Sequence, residues 1–144
     1  MLWWILLAVL LTAALLWGYF TAQRLNRLHI RTDAALASLQ AALDRRAAVI
    51  AALVPETREL ASAAEDVALV HGDFGERTSR ERALSQALVP LAPHPPQLID
   101  ADVRAQLAHR FYNDAVADTR ALRLRPLVRA FRLGGTAPLP EFFE

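Results

Sequence analysis

The sequence predicts an all-α protein: a single N-terminal transmembrane helix continuing into an antiparallel three- to four-helix bundle with a long first helix. Three observations carry this expectation. Residues 1–23 hold no charged side chain, and Arg24 is the first. Past that point Leu, Ile, Val and Ala recur at helical spacing almost to Gly72. No alternating Val/Ile-rich run marks a strand anywhere in the chain.

Leu2–Thr21 reads LWWILLAVLLTAALLWGYFT. A helix of that length rises ~30 Å, which matches the hydrocarbon thickness of a bilayer. Trp3 and Trp4 at one end, and Trp17 and Tyr19 at the other, sit where aromatic belts anchor both interfaces. A core helix this apolar would need shielding on all sides, which a small domain rarely supplies. A cleavable signal peptide would open with basic residues and close with small ones. Here nothing basic precedes the run, and Phe20-Thr21-Ala22 puts a bulky ring at the nearest candidate site. Residues 1–22 are therefore expected to be an uncleaved anchor, and residues 23–144 a bundle domain. The membrane-flanking basic residues Arg24, Arg27 and Arg31 all lie past the span. The positive-inside rule then places the N-terminus outside and the C-terminal domain in the cytoplasm. All 16 basic residues are Arg and none is Lys, which reads as codon bias of a GC-rich bacterium and makes the expected location a bacterial cell membrane.

From Leu25 no helix breaker appears before Pro55, and the heptad continues to Gly72. With Leu36 at position a, the a positions are Leu36, Leu43, Ile50, Thr57 and Ala64, and the d positions Leu39, Arg46, Leu53, Leu60 and Val67. Asp33, Gln40, Asp44, Arg45, Arg58, Glu59 and Glu65 form the outer face. Because the register is unchanged across Pro55, the expectation there is a kink, with Gly72 capping the helix and His71 at its last a position. Thr78 and Glu81 have capping-box spacing and open a short helix, roughly Ser79–Leu91. Pro90, Pro93, Pro95 and Pro96 make a rigid connection. Asp100 then caps a third helix running to about Leu124, with Val103, Leu107, Phe111, Ala115 and Leu122 on one stripe. Pro126 stops or bends it; Leu127–Leu133 adds a turn or two, and the tail after Gly134-Gly135 is extended.

Chemistry-bearing patterns are sparse. The chain has no cysteine, which removes disulfides, thiolate metal sites and thiol nucleophiles. None of the histidines 29, 71, 94 and 109 has the helical spacing of a metal face, so no metal or cofactor is expected. Asp100 and Asp102 read as helix-start residues. Ser79 and Ser85 lack a neighbouring base, and the glycines lack the strand–helix setting of a phosphate loop. No catalytic residue is assigned. A net charge of +1 excludes a dedicated nucleic-acid binder.

Arg46 is the anomaly. A charge at a seam position costs several kcal/mol unless it is paired. It snorkels to water, is held by a partner, or turns outward through a shift of register. A carboxylate or carbonyl on the third helix is the expected partner, with Asp114 or Asp118 leading and Asp102 also on that helix. Tyr112 and Asn113 together suit a polar contact between helices.

At these residues a family resemblance appears. Leu43-Asp44-Arg45-Arg46-Ala47-Ala48-Val49-Ile50 followed by Leu53-Val54 resembles the paired-arginine motif of LemA family proteins, L-x-R-R-x-x-x-I and then L-V. Ala108-His109-Arg110-Phe111-Tyr112-Asn113-Asp114-Ala115-Val116 is similar to the family's A-R-R-x-Y-N-x-x-V, with His109 in place of an arginine. The ending Phe131…Pro140-Glu141-Phe142-Phe143-Glu144 is similar to its closing aromatic pair and Glu. The ordered patches identify a divergent member. The resemblance implies a single-pass bacterial membrane protein with an antiparallel helical bundle and no established enzymatic activity.

The expected role is therefore a membrane-anchored interaction or scaffold protein, touching lipid through its span and binding another membrane or membrane-associated protein. Self-association is a further option. Two alternatives stand beside it. A ligand- or signal-sensing bundle would draw on His29, Arg46, Tyr112 and Asn113. An anionic-lipid-binding protein would draw on the arginines of Arg120–Arg132. Arg45, Arg46, Arg110, Tyr112, Asn113, Asp114 and Asp118 are the candidate interaction residues.

Overall fold

A computed structural model describes residues 1–144. Helix α1, Leu2–Leu53, runs without interruption through both the apolar N-terminal segment and the first heptads. Its first part is long and apolar enough to cross a membrane, with a mean hydropathy of 2.1 over the most apolar window and none of that window covered by the rest of the chain. From Leu25 onward one face becomes buried, through Leu25, Thr32, Leu36, Leu39, Leu43, Ala47 and Ile50.

At Pro55 the chain reverses. A residue before proline is pushed out of the helical region, and Val54 takes φ −131° and ψ 85°. A single 3-10 turn, Pro55–Thr57, leads into α2, Arg58–Glu65, which returns along α1. Ala61 packs with Ala47 and Ile50, and further on the Leu69 amide donates to Gln40 Oε1 at 3.2 Å. The expected kinked helix reaching Gly72 is thus two helices and a turn. Its seam survives in part because Thr57, Ala61 and Ala64 bury against α1 after the reversal, while Leu53 and Leu60 are exposed. Gly72, at φ +85°, turns a tight loop between Val70 and Asp73 rather than capping a helix. His71 leaves the heptad altogether and meets Asp33 on α1, Nε2 to Oδ1 3.0 Å.

Helix α3, Gly75–Leu88, begins four residues before the expected Ser79, and Thr78 makes no capping bond. Another 3-10 turn, Val89–Leu91, and the prolines follow. Helix α4, Pro96–Arg123, starts on Pro96 at its first position, where a missing N–H costs nothing. Asp100 is therefore inside the helix, pairing with Arg104 at 2.9 Å, and caps nothing. Helix α5, Pro126–Ala130, follows a break at Arg125, and residues beyond Gly135 run without regular structure.

The helices α1, α2, α3 and α4 run up, down, up and down, with α1 and α4 the main pair. Levels match along that pair: Leu25 packs with Leu122, Thr32 bonds Thr119, and Arg46 reaches Asp102. What α4 buries includes four alanines, Ala101, Ala105, Ala108 and Ala115, with Leu98, Tyr112, Val116, Thr119 and Leu122. Small side chains let the α4 backbone approach α1 closely. The expected single stripe splits: Val103, Leu107 and Phe111 face outward, and Ala115 and Leu122 are inside.

Candidate functional site

Two polar assemblies flank one cleft of about 230 Å³ between α1, α3 and α4. The first is a cluster of charges on three helices. Arg46 of α1 donates through Nε to Asp102 of α4, through Nη1 to Glu81 at 3.1 Å, and through Nη2 to Ser85 at 3.0 Å, both on α3. Its side chain is 13% exposed, so it is paired rather than snorkelling. The partner is a carboxylate on α4, as expected, but it is Asp102. Asp114 and Asp118 lie 12 and 16 residues further along, ~18–24 Å away down the helix. Asp118 instead pairs with Arg31 at 2.9 Å on the surface, and Asp114 is exposed without an ion pair.

Behind Arg46 lies a second arginine that sequence reasoning did not single out. Arg77 is 0% exposed. Its Nε donates to Glu81 Oε1 at 3.0 Å and its Nη1 to the Val67 carbonyl at 2.9 Å. Nη2 lies 2.8 Å from Asp44 Oδ1 but off the line of a hydrogen bond, so that contact is a charge contact alone. Glu81 is the hub, because its two oxygens serve the two guanidiniums. Two signals pointed here: Arg77 and Glu81 have the i, i+4 spacing of a helical ion pair, and Asp44 adjoins Arg45-Arg46.

The second assembly is a cradle that holds the chain's last residues against α4. Asn113 Nδ2 donates to the Phe143 carbonyl at 3.0 Å, while Asn113 Oδ1 accepts from the Phe143 amide at 2.9 Å. One amide side chain thus satisfies both backbone groups of one residue, as a neighbouring strand would. Tyr112 donates its hydroxyl to the Glu141 carbonyl at 2.7 Å, and His109 Nε2 meets the Phe143 carbonyl at 2.6 Å. Arg120 and Arg123 donate to the carbonyls of Pro140, Pro138 and Ala137 at 2.6–2.9 Å. The Phe143 ring is buried edge-on against Phe74 and His109. Tyr112 and Asn113 therefore clamp the tail, not a contact between helices. Burial, with Glu141 and Asp33 nearby, pushes the Tyr112 hydroxyl up to about 12.

His29, on α1, carries a buried Nε2 with no partner. Burial first, then the Arg123 charge, lower its pKa, partly opposed by Asp33. Arg45, Arg110, Arg24 and Arg27 point to solvent. The carboxylates of the cluster are occupied by guanidiniums, and no three His, Cys, Asp or Glu side chains converge as a metal ion requires. Chemically the assemblies bind and fix backbone and side chains of the chain itself. No family model, no curated protein and no solved structure matches this chain.

Proposed function

We propose that the chain is a non-enzymatic, membrane-anchored interaction module that presents the outer face of α4 to a membrane-associated protein. The observation that carries this reading is a stripe at four-residue intervals, Ile99, Val103, Leu107 and Phe111, exposed by 53%, 55%, 49% and 55%. Large apolar side chains aligned over successive turns, rather than scattered singly, mark a surface for a partner. Asp100, Arg104, Arg110 and Asp114 edge the stripe with both signs of charge, which suits an apolar helix of mixed charge. The resemblance to LemA family proteins, with its single span and helical bundle, supports the same reading and a bacterial cell membrane as the location. The arginines 24, 27 and 31 favour a cytoplasmic bundle.

The test is photo-crosslinking in cells from position 107, with position 58 on α2 as control. A discrete adduct from 107, absent from 58 and abolished by Val103→Asp at unchanged helix content, is expected. An adduct of twice the chain's mass identifies a second copy as the partner. Equal capture from both positions, or none from 107, refutes the reading. For orientation, a cysteine at position 144 labelled by an impermeant reagent in intact cells would place the bundle outside.

A further inference from the structure

The end of the bundle nearest the apolar segment is unlike the rest of the molecule. Residues 17–32 and 119–140, which meet there, contain eight of the sixteen arginines and none of the fifteen acidic residues. Arg31 is engaged by Asp118, and Arg120 and Arg123 by tail carbonyls. Arg24, Arg27, Arg125, Arg129 and Arg132 are exposed and bond no protein group. Among them lie three exposed apolar side chains, Leu124, Leu127 and Phe131.

The height of this corner is fixed by contact with α1. The Phe131 ring sits edge-on to Trp17 with centroids 6.5 Å apart, and Leu133 reaches to 4.0 Å of where a side chain on Gly18 would begin. Val128 and Leu122 close over Leu25 just above. Trp17 and Gly18 belong to the last turns of Leu2–Thr21, so a bilayer that holds this segment meets α5 at its surface. Arginine with leucine and phenylalanine is the composition that seats in an anionic headgroup layer, the rings and aliphatic chains below and the guanidiniums at the phosphates.

We propose that α5 and its flanks form a second membrane contact, with Leu124, Leu127 and Phe131 entering the boundary of the acyl chains and Arg125, Arg129 and Arg132 binding phosphates of anionic lipids. The occupant is the same bilayer that anchors α1, so the inference rests on α1 spanning it. Because α1 is continuous from the apolar segment into the bundle, the contact gives the whole chain a preferred tilt and rotation on the surface.

The native chain has no cysteine, which permits single-site labelling of the full-length protein in nanodiscs. An environment-sensitive fluorophore is placed at Leu127→Cys, with Ala13→Cys and Leu107→Cys as references, and brominated lipids serve as quenchers. Quenching at 127 and 13 but not at 107 is expected, rising at 127 when phosphatidylglycerol replaces part of the phosphatidylcholine. Replacing Arg125, Arg129 and Arg132 with Gln should abolish that rise at unchanged helix content. Quenching at 13 with a water-exposed label at 127 overturns the inference and leaves the span intact. A water-exposed label at 13 overturns both. A rise that survives the triple replacement removes the arginines from the lipid contact.

Discussion

Replacing Arg77 with methionine keeps the length of the side chain and removes its charge from the most enclosed point of the ionic cluster. Two cations among three carboxylates become one. Glu81, 11% exposed, is left facing Asp44 with only Arg46 to offset it, and the Val67 carbonyl loses its donor. An orphaned buried charge of this kind costs ~3–5 kcal/mol, a large part of the ~5–15 kcal/mol that holds an ordinary domain together. Glu81→Gln removes the shared acceptor but leaves two cations against two carboxylates, and should cost ~2–3 kcal/mol. Asp102→Asn should cost ~1 kcal/mol or less, because that carboxylate is 31% exposed and Arg46 keeps Glu81 and Ser85. Urea unfolding of the full chain in nanodiscs, followed by far-UV circular dichroism, measures all three at a common slope. In the double variant, Glu81→Gln relieves the charge that Arg77→Met orphans, so the two costs should fall short of additive by ~1–3 kcal/mol. An Arg77→Met cost below ~1 kcal/mol, or one smaller than that of Asp102→Asn, would show that water reaches the cluster and the reasoning fails.

Asn113→Ala removes both hydrogen bonds to Phe143, and should cost ~1–3 kcal/mol while making the segment after Gly135 sensitive to limited proteolysis; unchanged cleavage would deny the clamp. Tyr112 binds its proton more tightly folded than unfolded, so stability should fall as pH rises from 10 toward about 12, and Tyr112→Phe should flatten that slope. For His29 the sign is opposite. Its folded pKa lies below the unfolded 6.5, so the unfolded chain takes up the proton first and stability should drop as pH falls below that value. His29→Gln should remove this acid-side loss, and a variant that retains it would assign the loss to another group.

The long apolar first stretch of α1 and the seam from Leu36 to Ile50 were legible because an unbroken pattern of side-chain types fixes a helix directly. Periodicity does not name the partner, however. Across Pro55 the spacing Thr57, Ala61, Ala64 satisfies a straight helix and a helix folded back equally well, and only the backbone at Val54 distinguishes them. On α4, apolar character alone does not report burial: the helix turns Leu98, Ala101, Ala105, Ala108, Tyr112 and Ala115 toward the other helices, and that phase leaves Val103, Leu107 and Phe111 outside. That Arg46 needs a carboxylate followed from its position, whereas which carboxylate depends on the level at which two antiparallel helices align. Asp102 sits at that level and Asp114 does not. The tail cradle had no periodic signal at all, since an extended segment held by side chains through its own backbone leaves no trace in hydropathy.

The unbroken course of α1 has a mechanical consequence. Between Gly18 and Val54 it contains neither proline nor glycine, so no joint separates the apolar segment from the bundle core. From Thr21 to Leu53 the helix extends ~48 Å, and transmembrane helices tilt on average by ~20°. With α1 held in a bilayer, a tilt of that size displaces its far end sideways by ~16 Å. The chain is in this sense a lever: a few degrees of motion set by lipid thickness or by a neighbour within the membrane arrive at Ile50 and Leu98 as ångströms of travel.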